Sequence, residues 1–136
     1  MELKIAAKVD AADKEYFEEK IRPLLKSRYV DFIGEIGEKE KEELLGGAHA
    51  LLFLIDWPEP FGLVMIEALA CGTPVIAWRC GSVPEVIEDG RTGFIVQSME
   101  EAAQAVERVL EIDRLECRKA FEERFTSRRM AEDYLR

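Results

Sequence analysis

The stretch Glu59-Pro60-Phe61-Gly62-Leu63-Val64-Met65-Ile66-Glu67-Ala68-Leu69-Ala70-Cys71-Gly72-Thr73-Pro74-Val75-Ile76-Ala77 decides the fold. Before it runs Ala50-Leu51-Leu52-Phe53-Leu54-Ile55, continuously apolar as expected of a strand covered on both faces. A turn at Pro60-Phe61-Gly62 opens a short helix, the helix stops at Gly72, and Pro74 to Trp78 reads as a second buried strand. Two carboxylates, Glu59 and Glu67, bracket the start of that helix. A helix opened by glycine after an apolar strand presents free N–H groups and a positive dipole end, where a phosphate or hydroxyl oxygen can sit. Carboxylates beside such a site suit sugar hydroxyls, which need acceptors. Phosphate chemistry alone would call for cations.

The same alternation extends in both directions. Leu3 to Val9 reads as a strand, and Asp10 is placed to cap a helix from about Ala12 to Lys26, with Tyr16, Phe17, Ile21 and Leu24 on one face. Tyr29 to Gly34 is a second strand, followed by a charged helix from Glu38 to about Gly46. Beyond the motif, Ser82-Val83-Pro84-Glu85 has the form of a capping box. Asp89 to Gly93 is a turn and Phe94-Ile95-Val96 a short strand. Ser98 with Glu101 caps a long amphipathic helix through about Ile112, and one or two helices broken near Thr126 finish the chain. Strand–helix alternation of this kind implies parallel strands, right-handed crossovers and helices on both faces. The fold class is therefore α/β, a Rossmann-like parallel sheet. Ligands in such sheets bind beyond the carboxyl ends of the strands, where Lys8, Ile36, Trp57 to Gly62 and Arg79 to Ser82 all fall.

Composition excludes several classes. A length of 136 residues allows one domain with a real core. A net charge of −9 disfavours nucleic acid, and the arginines near the end, Arg124, Arg128, Arg129 and Arg136, interleave with Glu122, Glu123, Glu132 and Asp133 as on a solvated helix face. No apolar run is long enough to span a bilayer. Cys71, Cys80 and Cys117 form no C-x-x-C pair and read as free thiols in a reducing cytoplasm. His49 stands alone, so no metal centre is expected.

The motif resembles the donor-sugar motif of family 4, or group 1, retaining glycosyltransferases of the GT-B fold. Their hallmark is two glutamates with seven residues between them, matched by Glu59 and Glu67. The resemblance continues through Pro74-Val75-Ile76-Ala77, Gly81-Ser82-Val83-Pro84-Glu85-Val86-Ile87 and Asp89 to Val96, in the family's order. It implies that residues 1–136 form most of the C-terminal, donor-binding domain of such an enzyme. The strand–helix unit with which that domain normally opens, carrying an Arg and a Lys for the donor diphosphate, has no match here. Two further departures bear on sugar specificity: Ile55-Asp56-Trp57-Pro58 replaces the usual Pro-Ser approach, and Ser82 stands where many relatives have a second glycine.

The resemblance assigns roles residue by residue. Glu59 would hydrogen-bond the transferred sugar, the catalytic position. Phe61, Gly62, Leu63 and Val64 would donate backbone N–H groups to sugar and phosphate oxygens. Glu67 lies five residues after Gly62, about 7.5 Å along the axis, and would take the ribose hydroxyls. Backbone at Ile36 would meet the base. Lys8, where most relatives carry glycine, either replaces part of the missing diphosphate cations or faces solvent. Each has a bland counterpart, from a dipole-favoured helix carboxylate at Glu59 to an ordinary turn at Ile36.

The function implied is donor recognition for transfer of a hexose from a nucleotide diphosphate sugar, with retention and without metal or other cofactor. The acceptor is undefined. Without the acceptor domain, the chain is expected to bind nucleotide weakly and to catalyse little. An alternative is a non-catalytic nucleotide-binding module, or a subunit completing a partner chain. Epimerase-like GT-B relatives come third, because His49 lies at the wrong edge to act as acid or base. A weak membrane-surface contact belongs to the full-length family and carries over as an expectation. With the first strand–helix unit missing, the gap between Leu3–Val9 and Ala50–Ile55 is expected to close, by direct pairing of the two strands or by pairing across a dimer, with direct pairing preferred because it needs no second molecule.

Overall fold

The computed structural model describes residues 1–136. The chain divides into two compact units, Met1–Lys41 and Glu42–Arg136, and the division falls within one helix.

In the first unit, β1 (Leu3–Ala6) pairs in parallel with β2 (Val30–Gly34), with a register shift between Ile5 and Ala6. The connection is helical but irregular. A 3-10 turn at Ala11–Asp13 leads into α1 (Lys14–Tyr16), a π-turn at Phe17–Ile21 and another 3-10 stretch at Arg22–Lys26. Pro23 explains the irregularity. It has no N–H to give and its ring clashes with the preceding turn, so the chain widens before it and tightens after. The expected single helix capped by Asp10 is thus corrected. Asp10 makes no side-chain cap, and Tyr16 and Leu24 are exposed rather than on a packed face. Phe17 does turn inward and meets Phe32 of β2, with ring centroids 5.3 Å apart.

Helix α2 (Glu38–Gly47) carries Glu38 and Glu40 in its first turn, where the dipole favours acids. In the second unit, β3 (Leu51–Phe53), β4 (Val75–Trp78) and β5 (Gly93–Val96) form a parallel sheet in the order 3-4-5. The pleat sends alternate residues of β4 to opposite faces. Val75 and Ala77 join Phe53, Met65, Leu69, Ile112 and Cys117, a core built with α3 (Leu63–Ala70) and α6 (Arg114–Arg124). Ile76 joins Val96, Ala102, Ala105 and Val109 against α5 (Met99–Arg108). Helices therefore cover both faces of this sheet. The short α4 (Val83–Val86) and the terminal α7 (Ser127–Tyr134) complete the unit.

Helix α3 ends as its sequence requires. The Thr73 N–H bonds Ala68 O at 2.8 Å and the Gly72 N–H bonds Leu69 O at 2.9 Å, a Schellman closure. Arg114 then ties this corner together. Its guanidinium donates to Ala48 O at 2.6 Å, Gly46 O at 2.8 Å and Thr73 Oγ1 at 2.9 Å, while Thr73 Oγ1 donates to Leu45 O at 2.6 Å.

The expected pairing of Leu3–Val9 with Ala50–Ile55 is overturned: β1 has only β2 as a ladder partner, and β3 has only β4. The premise of burial fails as well. Within β1 every residue but half-buried Ile5 is exposed, and Leu52 of β3 is exposed. Edge groups that reach water do not carry the penalty of unpaired groups in an apolar interior.

Candidate donor-binding site

The second unit brings Glu59, Phe61, Gly62, Leu63, Val64 and Glu67 onto one loop and the first turns of one helix. The chain leaves the carboxyl end of β3, turns at Trp57 to Glu59 through a Glu59 N–H to Trp57 O bond of 2.7 Å, and enters α3 at Gly62. Gly62 is in the left-handed region, φ 71° and ψ 64°, and its carbonyl accepts the first helical bond from Met65 N at 2.9 Å. A Cβ at Gly62 would lie 2.7 Å from Met65 Cε and 3.0 Å from Phe53 Cζ. Glycine is needed here for its backbone and for the core beneath it, so the ligand-approach reason expected from sequence is not the only one.

The N–H groups of Phe61, Gly62, Leu63 and Val64 make no hydrogen bond within the chain. The side chains of Phe61 and Leu63 are exposed, Glu59 is half-buried in the loop, and Glu67 is half-buried between Met65 and Leu69, which are fully buried. Unpaired donors at a helix start, with two carboxylates nearby, can bind an oxygen-rich ligand that both accepts and donates hydrogen bonds.

What holds the loop was not visible in the sequence. The turn after β4 grips it: Ser82 N–H donates to Glu59 O at 3.2 Å, and Ser82 Oγ donates to Phe61 O at 2.7 Å. Gly81, at φ 55°, lets the two backbones touch, since a Cβ there would lie 2.5 Å from Glu59 O and 2.8 Å from Glu59 N. The Ser82–Glu85 capping box is therefore corrected: Ser82 makes no side-chain cap on α4, because its hydroxyl is committed to the motif loop.

Lys8 and Ile36 belong to the first unit, after β1 and β2 respectively. Lys8 Nζ is exposed and lies 3.6 Å from Asp10. Ile36 is half-buried, and the adjacent Gly37 N–H donates to Glu40 at 2.6 Å. His49 is exposed in the loop before β3.

Perturbed groups lie away from this loop. Burial pushes the Cys117 thiol up to about 11, and burial followed by the Glu42 charge raises Cys71, so neither is a ready nucleophile. The hydrogen bond from Arg91 holds the Glu88 carboxyl below its ordinary value, with Arg124 adding to it. Arg91 bridges Glu88 and Glu116, each at 2.8 Å. No group of three or more His, Cys, Asp or Glu side chains is placed to hold a metal ion, and no helix is long and apolar enough to cross a membrane.

A parallel sheet with a glycine-opened helix at its carboxyl edge defines an α/β, Rossmann-like protein. Residues 3–128 match the family of Glycosyl transferases group 1, and the chain belongs to that family. A D-inositol 3-phosphate glycosyltransferase of Streptomyces scabiei is 42% identical over 76 residues, 56% of this chain and 17% of that protein. A probable sucrose-phosphate synthase of Thermosipho melanesiensis is 36% identical over 110 residues, 76% of this chain and 26% of the relative. Among solved structures, the sucrose-phosphate synthase of Thermosynechococcus elongatus superposes with a TM-score of 0.80 at 26% identity, covering 98% of this chain and 37% of the other. The HepE protein of Anabaena, solved with UDP and glucose, gives 0.79 at 23% identity over 98% of this chain and 40% of its own. The chain thus spans well under half the length of these relatives.

Proposed function

We propose that residues 1–136 act as the donor-binding domain of a retaining glycosyltransferase, which passes a hexose from a nucleoside diphosphate to an acceptor. The observation that carries this reading is the loop Glu59–Gly62 with its free N–H groups at the head of α3. In this reading the donor's phosphate and sugar oxygens take the N–H groups of Phe61 to Val64. Glu59 accepts from a hydroxyl of the transferred sugar and Glu67 from the ribose. As the sugar–phosphate bond breaks, charge grows on the leaving diphosphate, and prearranged N–H groups and the helix dipole stabilise it without reorganising. Bonds between backbone atoms and Ser82 fix those groups beforehand. The reading carries a cytoplasmic setting, supported by three free thiols.

Amide NMR of the full chain titrated with UDP, GDP and ADP tests it. At least one nucleotide should shift Phe61 to Val64 and Glu67. Shifts confined to residues remote from that edge at saturation would overturn the reading. Glu67→Ala should weaken the bound nucleotide by about 1.5–3 kcal/mol, the worth of a charged hydrogen bond, and leave the fold intact.

A further inference from the structure

Strand β1 has a neighbour on one side only. Its odd positions turn their backbone toward β2: the Leu3 N–H donates to Tyr29 O at 2.8 Å and the Ala7 N–H to Gly34 O at 3.0 Å. Successive residues of a strand direct their N–H and C=O groups to opposite sides. The groups of Lys4 and Ala6 therefore point to the side that holds no strand. Both residues are exposed, as are Glu2, Leu3, Ala7 and Lys8 around them. Such an edge is a template for one more strand, and lysines along it restrict which strand can add.

A second copy of β1 meets that restriction. A two-fold axis normal to the sheet sets two copies antiparallel and closes the assembly at two chains. Only even positions carry free backbone groups, so even positions must face even ones. Lys4 facing the second copy's Lys4 puts like charges directly opposite, which is destabilising. Ala6 facing Ala6 brings Lys4 against Lys8, with the same fault. Lys4 facing Ala6 avoids both and sets Glu2 against Lys8 at each end. Lys8 is available for this role: it lies 3.6 Å from Asp10, both side chains are exposed, and ion pairs of that kind are worth little.

The same register suits the apolar positions. Leu3 and Ile5 lie opposite Val30 and Phe32 of β2, on the face where Phe17 meets Phe32. Across the two-fold, Ile5 meets Ile5 in a non-hydrogen-bonded pair, with Cα atoms about 4.5 Å apart, the closest approach of side chains in an antiparallel ladder. Leu3, 41% exposed, comes beside the second copy's Ala7. We propose that two copies of this chain associate through β1, joining their sheets in the order β2–β1–β1–β2 about a two-fold axis at Ile5. The contact is short, which places it among weak, reversible interfaces. It uses the first unit alone and does not depend on what the head of α3 binds.

Sedimentation equilibrium of the full chain over a concentration series tests it, with amide NMR to locate the contact. The mass should rise from monomer to dimer, and hydrogen exchange at the Lys4 and Ala6 amides should slow as it does. Glu2→Lys and Lys8→Glu change exposed side chains and should keep the native spectrum. Each alone sets like charges at both ends and should weaken association about tenfold. An equimolar mixture of the two variants should recover it, because each copy then presents the charge that the other needs. Ala6→Pro removes an N–H from the free side and none from the ladder with β2, and should abolish association. A monomeric mass at every concentration up to about 1 mM overturns the inference. So does a dimer indifferent to the charge variants, or a mixture no stronger than its components.

Discussion

The two units of this chain handle apolar surface in opposite ways. Residues 1–41 contain no buried side chain, and Leu3, Tyr16, Leu24, Tyr29 and Ile33 are exposed. Residues 42–136 hold every buried residue, and most of the buried apolar ones form two clusters on either face of β3–β4–β5. Length explains part of the difference, since a unit of about 40 residues has too little interior for a core. The helical connection explains more. Pro23 breaks its register, so the apolar residues no longer form a single stripe. The binding loop sits in the well-packed unit, where its geometry is fixed from beneath by Phe53 and Met65.

The largest expected effect tests that contrast directly. Leu69 is fully buried, so Leu69→Ala should lower stability by about 3 kcal/mol, within the range for buried leucines. Leu24→Ala, at 68% exposure, should change it by less than about 0.5 kcal/mol. Equal losses in urea denaturation would break the comparison. Next comes Arg114→Ala, which strips partners from Gly46 O, Ala48 O and Thr73 Oγ1 and should cost about 2 kcal/mol. The smallest effect is acid sensitivity. The Glu88 pKa is held below its ordinary value of 4.5, so its stabilisation is fully present above that pH and is lost as pH falls through the lowered value. Glu88→Gln should therefore flatten the fall of melting temperature on acidification. An unchanged slope would show that the Arg91–Glu88–Arg124 cluster adds nothing to the second unit.

Two stretches of the same pattern show where sequence reading succeeds and fails. The Ser98–Glu101 spacing predicts a cap, and Ser98 Oγ does accept from Glu101 N at 3.1 Å. Ser82 with Glu85 has the same spacing and makes no cap. Ser98 is extended, φ −145° and ψ 162°, as an N-cap must be, whereas Ser82 lies in the helical region at φ −75° and ψ −8°. That backbone is set by contact with a loop some twenty residues earlier, which no local pattern records. The parallel strands and the helix opening at Gly62 were legible because each rests on local periodicity or a local turn. The Gly81 contact and the Arg114 tie were not, because each joins segments distant in the chain. Pairing of β1 with β3 failed for a related reason: an apolar string shows that a strand could be buried, not that it is.

The Arg114 tie also bears on the order of folding. Its acceptors lie 66 and 68 residues back along the chain. Closing so long a loop is entropically costly until the intervening strands and α3 are in place. The tie is therefore expected to form after the barrier to folding has been crossed. Its loss in Arg114→Ala should quicken unfolding and leave the folding rate nearly unchanged. On that outcome a single guanidinium in α6 is a late latch, lengthening the life of the folded state more than speeding its arrival.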